Sequence, residues 1–320
     1  MAGAIAGTTI LRLSHGAERL RVLALTVNNA CNLSCPHCYL QYDGPEGLLP
    51  EDLANVVATD SFDHLAIVGK EPLLDRRSAE LCAELARDAA TTGKTTSLIS
   101  NGIGLRFLSD QTLRSLSYID VSFDGGPATY ASYRRGSYEK LASSVKAALD
   151  RGLREINALH VINAKTIDHV DDMMGVTDIA PFAHIMFSPY LVTRNAGRNE
   201  ASPVGLLRML ERFAATRRFR GHPEAILLID GLHLAQGAVS AEEVMSCAYH
   251  LGIASQLVMI TGDPLDYGIM RLTYDGWALE PHDSIHPSEY HSRGARILPG
   301  HARHPLARAF DLMIERRRAA

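Results

Sequence analysis

The stretch CNLSCPHCYL, Cys31–Leu40, holds three of the chain's five cysteines. It follows directly on RVLALTV (21–27), an apolar, β-branched run that reads as a first strand. Three chemistries compete for a Cys-x3-Cys-x2-Cys loop. Structural zinc takes four protein ligands, usually as two close pairs. The sequence has no second Cys or His pair of matching spacing, and His37, between Cys35 and Cys38, is awkwardly placed as a fourth ligand. Buried structural thiols suit a proline-containing loop poorly. An iron–sulfur cluster is held by thiolates, and a four-iron cluster with three protein ligands leaves one iron open.

Working outward, short apolar runs alternate with helical stretches. His64–Val68, Thr95–Ser100, Tyr118–Phe123, Glu155–Ile162 and His184–Ser188 read as the next five strands. Arg76–Thr92, Tyr138–Arg151 and Pro203–Arg217 carry apolar residues at helical spacing. This alternation predicts parallel strands joined by right-handed crossovers. The expected fold class is α/β: a partial (β/α)6 barrel over residues 1–220, with a C-terminal α+β extension over 221–320 closing the active-site face. The extension holds an apolar run at 225–229, another at 256–260, and a hairpin over Ile269–Leu279 turning at Asp275-Gly276. In a parallel barrel the loops after the strands carry the chemistry, and the cysteine loop is one of them.

Composition sets outer bounds. At 320 residues, 46% hydrophobic and 21% charged, the chain can bury an ordinary core. A sparse, odd cysteine count with a thiol-rich loop points to a reducing compartment. The N-terminus lacks the basic start and apolar run of a signal peptide, and no stretch is apolar enough to span a bilayer. A cytoplasmic protein without a membrane partner is expected. The net charge is −4, yet His222–Glu289 holds ten carboxylates against Arg271 alone, near −9. That segment is either a solvated acidic face or a surface for a cationic ligand, and it argues against nucleic acid as a partner.

Cys31, Cys35 and Cys38, with the aromatic Tyr39 beside the last, resemble the signature of the radical S-adenosylmethionine superfamily. VGKEPLL (68–74) resembles that family's Gly-Gly-Glu-Pro element. Gly69, Glu71 and Pro72 match it, and Lys70 replaces the second glycine. SNG (100–102), with Ser100 and Asn101, and VSFDG (121–125), with Ser122 and Asp124, resemble its cofactor-contacting strand ends. The matches run in order through roughly the first 200 residues, each at the end of an expected strand. The resemblance implies a [4Fe–4S] cluster on the three cysteines and S-adenosylmethionine on its open iron. A 5′-deoxyadenosyl radical would then take a hydrogen atom from substrate. It further implies that Tyr39, Gly69, Glu71, Pro72, Ser100, Asn101, Ser122 and Asp124 contact S-adenosylmethionine, and that a flavodoxin- or ferredoxin-type protein donates electrons.

Two cysteines remain. Cys82, in an Ala/Leu-rich helix, reads as a core residue. Cys247, in VMSCAYHLG, reads either as a buried structural thiol or as a hydrogen-atom donor to a substrate radical. Delivery to the face opposite abstraction would invert the centre. With the tail RLTYDGWALEPHDSIHP (271–287), the chain resembles aminoglycoside epimerases of the neomycin C epimerase type. On that resemblance the function is inversion of a C–H stereocentre of an aminoglycoside sugar, neomycin C to neomycin B type, with Cys247 catalytic. Asp230, Asp263, Asp266, Asp275, Glu280 and Asp283 are then candidates for the substrate's ammonium groups, and Trp277 for a sugar face. The alternatives are a radical dehydratase or dehydrogenase of an amino-sugar, a peptide-modifying radical enzyme, and a non-enzymatic iron–sulfur redox sensor. The sensor explains the cluster but not the ordered strand-end motifs.

Overall fold

The short apolar runs of the chain become the strands of one sheet. The computed structural model describes residues 9–12, 19–38, 46–192, 201–281, 294–297 and 303–319. Its strands are β1 (Thr9–Arg12), β2 (Val22–Thr26), β3 (His64–Val68), β4 (Thr95–Ser100), β5 (Tyr118–Ser122), β6 (Ile156–Ile162) and β7 (His184–Pro189). They continue with β8 (Ala225–Asp230), β9 (Leu257–Thr261), β10 (Ile269–Leu272), β11 (Trp277–Leu279) and β12 (Ala295–Arg296). The sheet order is β1-β9-β8-β7-β6-β5-β4-β3-β2-β10-β11-β12. Every pairing from β1 through β10 is parallel, and the last two are antiparallel.

Helices fill the crossovers: α1 (Glu51–Thr59), α2 (Arg76–Thr91), α3 (Asp110–Ser115), α4 (Tyr130–Arg134), α5 (Tyr138–Asp150) and α6 (Val170–Met173). Then come α7 (Leu206–Ala215), α8 (Arg217–Arg220), α9 (Gly231–Gly237), α10 (Ala241–His250) and α11 (Pro305–Ala319). Local chemistry sets where they start. The Asp75 side chain accepts from the Ser78 N–H ahead of α2, Ser137 accepts from the Lys140 N–H ahead of α5, and Ser240 with Glu243 forms a capping box on α10.

The expected six-strand barrel ending near 220 is too short. β8 pairs with β7 at Ile185↔Ala225 and Phe187↔Leu227, so the parallel sheet runs through residue 220 without a break. β9 extends it, and β1, not foreseen, pairs with β9. The hairpin forms as expected, but on the other edge, with β10 parallel to β2. The change in charge misled the boundary because it reflects cap and turn chemistry. Asp230 caps α9, Glu242 and Glu243 occupy the first turn of α10, and Asp263 accepts from the Leu265 N–H in a turn.

β3, β5, β7 and β8 alternate between buried and more exposed positions, while β4 and β6 are buried over three consecutive residues. Leu23, Leu25, Leu65, Ile67, Leu98, Ile119, Val121, Ile185, Phe187, Leu227, Ile229 and Met259 are buried in the core that includes residues of the helices. At about 1.5–3 kcal/mol for each fully buried large side chain, this face supplies most of the driving force. The intervening positions point the other way and are more polar, among them the half-buried Tyr118, Asp120, Ser122 and Ser188. Among the described residues no helix is long and apolar enough to cross a membrane.

Asp120 is the least comfortable residue of the polar face. Burial pushes its carboxyl up to about 6, against the hydrogen bond donated by Asn157 Nδ2 at 2.9 Å. The folded carboxyl thus holds its proton more tightly than the unfolded one, so stability falls as pH rises from about 4 through about 6. Asp120→Asn is expected to stabilise the fold at pH 7.5 by on the order of 2 kcal/mol and to leave it nearly unchanged at pH 4. Denaturant melts at the two pH values check both the size and the sign.

Candidate active site

The site is built from the segments that come after β2, β3, β4 and β5. Beyond β2, Asn28 is buried and grips the next strand's loop. Its Nδ2 donates to Glu71 O at 2.7 Å, and its backbone O accepts from the Lys70 N–H at 3.2 Å. A Cβ at Gly69 would come within 2.7 Å of Asn28 Oδ1, so this position requires glycine. Lys70 joins through its backbone N–H, which accommodates a side chain where the family pattern has a second glycine.

Glu71 ties β3 to β4. Its fully buried carboxylate accepts from Ser100 Oγ at 2.6 Å, the Asn101 N–H at 2.7 Å and the Leu73 N–H at 2.9 Å. Burial pushes this carboxyl up, and the three donors work against that shift. Asn101 in turn donates from Nδ2 to Asn32 Oδ1 at 2.7 Å, reaching into the cysteine loop. The residues at 69–72 and 100–101 therefore form one framework behind that loop.

The loop itself is fixed at several points. The Leu33 N–H donates to Cys31 Sγ at 3.3 Å, the Cys38 N–H to Cys35 O at 3.2 Å, and Cys35 Sγ to Arg134 O at 3.7 Å. His37 Nε2 lies 2.9 Å from Asp124 Oδ2, which also accepts from Arg134 at 2.8 Å. Asp124 Oδ1 accepts from the Val161 N–H at 2.6 Å. Burial opposes ionisation of Asp124, but His37 and Arg134 outweigh it and hold the carboxyl well below the usual range. Asp124 has φ +50°, so the extended repeat of β5 ends at Ser122. Ser122 stays on the polar face of the sheet, while Asp124 turns its carboxylate to the cysteine loop. Both oxygens of Asp124 are thus engaged within the protein.

The donor set fits an iron–sulfur cube. All five cysteines are free thiols, and Cys31, Cys35 and Cys38 are half-buried. Burial pushes the Cys35 thiol up to about 11 and the Cys31 thiol upward as well, so ligation must displace protons. Among the described residues no three His, Cys, Asp or Glu side chains converge on one point as ligands of a single ion do. A cube takes each thiolate on a different iron and needs no such convergence. Among the described residues Arg134 Nε is buried without a hydrogen-bond partner; the Tyr130 hydroxyl is near it but out of hydrogen-bonding geometry. An orphaned cationic donor next to thiols suits an anionic thiolate cluster.

Other expected site residues lie elsewhere. Cys247 sits on α10, the crossover between β8 and β9, where the neighbouring charge acting on it is Glu211 of α7. Val244 and Ala248 turn that helix's buried face to the core, leaving Cys247 half-buried in the outer helical layer. It lies on the side of the sheet opposite the polar face and near the C-terminal end of its helix. Among the described residues the contacts given for this thiol are with its own helical layer.

The carboxylates are also dispersed. Asp263 and Glu280 pair with Arg317 of α11 at 2.5 Å and 2.8 Å, and Asp266 acts on the same guanidinium. Asp275 accepts from Thr273 Oγ1 at 2.6 Å inside the hairpin turn. Trp277 lies 6.0 Å from the Arg296 guanidinium. Asp230 accepts from the Leu232 and His233 N–H groups as the cap of α9. Asp283 and Tyr39 lie outside the described residues. Sequence reasoning missed Asn28, Asn32 and Arg134, and it weighed His37 only as a ligand. The Asn28-Asn29 pair ending the first strand was the available signal, since buried amides at a strand end must find partners.

Residues 25–175 match the Radical SAM superfamily profile. A GTP 3′,8-cyclase of Synechococcus sp. (strain CC9902) is 34% identical over 131 residues, covering 38% of this chain and 37% of that protein. A probable GTP 3′,8-cyclase of Methanocella arvoryzae is 27% identical over 166 residues, 49% of this chain and 53% of that one. The sporulation killing factor maturation protein SkfB of Bacillus subtilis is 26% identical over 165 residues, 47% of this chain and 38% of that one. In each case the match spans little more than half of the relative, or less. Among solved structures, Streptococcus suis SuiB bound to precursor peptide SuiA superposes with a TM-score of 0.57 at 13% identity. That likeness covers 82% of this chain and 59% of SuiB and is one of fold.

After anaerobic reconstitution, Cys31→Ala, Cys35→Ala and Cys38→Ala are each expected to lose cluster iron and its visible absorption. Cys247→Ala is expected to keep the wild-type iron content; colorimetric iron assay on the four variants checks both. The matched segment carries the whole framework from Asn28 to Asp124. Residues 25–175, somewhat under half of the chain, match the Radical SAM superfamily, a family that uses a [4Fe–4S] cluster and S-adenosylmethionine.

Proposed function

We propose that the chain is a radical S-adenosylmethionine enzyme that takes a hydrogen atom from a peptide lying on the polar face of the sheet. The observation that carries this reading is the makeup of that face. Tyr118, Asp120, Ser122, Asn157, His184 and Ser188 supply hydrogen-bonding groups along the neighbouring strands β5, β6 and β7: Ser122 and Ser188 lie toward the C-terminal ends, the side of the cysteine loop, and Tyr118, Asn157 and His184 toward the N-terminal ends. An extended polar strip of this kind suits a chain of amides and mixed side chains. Asp120 favours a segment that brings Lys, Arg or His.

The cofactors, when bound, supply the hydrogen-abstracting chemistry. The protein's part is to hold the loop of Cys31, Cys35 and Cys38 through Asn32 and His37, and to present substrate from the strands. A flavodoxin- or ferredoxin-type protein is the proposed electron donor.

Two other substrates are less well supported. A nucleoside triphosphate, the substrate of the cyclase relatives, needs clustered cations. The polar-face positions of β2 to β9 include no Lys or Arg. The aminoglycoside epimerase reading relied on Cys247 and on the acidic segment. The first lies in the outer helical layer, and three of the second's ten carboxylates, Asp263, Asp266 and Glu280, act on Arg317. Similarity to SkfB, a maturation protein, supports a peptide without identifying one.

The test is an anaerobic assay of 5′-deoxyadenosine with S-adenosylmethionine and dithionite. It compares short Lys- and Arg-containing peptides, GTP and neomycin C as probes. Several-fold stimulation by peptides and none by GTP or neomycin C is expected. Stimulation by GTP or neomycin C with peptides inert would overturn the reading.

A further inference from the structure

We propose that Arg134 is a positioning residue for the iron–sulfur cluster: clamped by Asp124, it fixes one buried positive charge beside the Cys35 thiolate and so raises the cluster's reduction potential. The inference rests on the cluster and is independent of the peptide reading.

Three features hold this cation in place. Its side chain is 12% exposed, at the C-terminal end of the short helix α4. Its guanidinium donates to Asp124 at 2.8 Å, and Asp124 is itself pinned by the Val161 N–H at 2.6 Å. The same carboxylate oxygen meets His37, which lies between two of the cluster cysteines, at 2.9 Å. One carboxylate therefore couples the position of the cation to that of the loop. Arg134 also receives the Cys35 thiol on its backbone carbonyl at 3.7 Å.

At Cys35 the charge is not cancelled by its partner: there the guanidinium acts more strongly than Asp124, whereas at Cys31 the Glu71 carboxylate acts more strongly than Arg134. Among the described residues Arg134 Nε is a buried donor without a hydrogen-bond partner. A cube held by three thiolates carries net negative charge, and reduction adds another. A fixed cation in a low-dielectric site favours the reduced form. Radical chemistry begins with an electron entering the cluster, so this residue sets how strong a reductant is required.

The test uses the reconstituted full-length chain without substrate: wild type, Arg134→Gln and Arg134→Lys. The readouts are iron content and the midpoint potential from an anaerobic titration followed by electron paramagnetic resonance. Arg134→Gln is expected to shift the midpoint to more negative values, with a smaller reduced fraction at a fixed poise. Arg134→Lys, which keeps the charge, is expected to stay near wild type. An unchanged midpoint in Arg134→Gln, or a shift in Arg134→Lys as large as in Arg134→Gln, overturns the proposal. Should Arg134→Gln fail to retain iron, Arg134→Lys decides: retention near the wild-type midpoint supports the role, and loss of iron there overturns it.

Discussion

A carboxylate that is 2% exposed cannot be left alone, and the site depends on how Asp124 is satisfied. Isolated in a low-dielectric interior, its charge would be strongly unfavourable; paired and hydrogen-bonded it becomes a fixed joint. Its partners are His37 from the loop after β2, Arg134 from α4 and the backbone of Val161 in β6. Three segments far apart in sequence meet on two oxygens. Removing one charged partner of such a joint typically costs about 3–5 kcal/mol. Glu71 does the same for the other side of the loop, joining the ends of β3 and β4 through Ser100 and Asn101. The cysteines are thus carried by a loop braced on both flanks by buried carboxylates.

This explains a division of labour among residues that resemble one family's cofactor motifs. Gly69 leaves room for the Asn28 side chain, Glu71 and Asp124 join neighbouring segments, and Ser122 remains on the polar face. The chemistry belongs to bound cofactors. The protein's own contribution is rigidity at the strand ends and a polar strip where a substrate can lie.

Much of this was legible in the sequence for a physical reason. Strand-and-helix alternation fixes a parallel sheet, and strand β2 followed by the three-cysteine loop fixes its functional edge. What was hidden was long-range. The charge step near residue 220 suggested a boundary, yet β8 is as apolar as β3 and joins the same sheet. The carboxylates beyond it serve caps, turns and Arg317. The place of Cys247 was hidden too: α10 is a crossover packed against α7, and its thiol lies in the outer layer. Arg134 carries no local signature, because its meaning comes from a carboxylate ten residues earlier and thiols about a hundred residues away.

The central claim is that three thiolates hold a cube and leave one iron for S-adenosylmethionine. The most direct measurement is electron paramagnetic resonance of the reduced, reconstituted chain before and after S-adenosylmethionine is added. The account predicts a changed spectrum on addition. A spectrum identical with and without S-adenosylmethionine would contradict it.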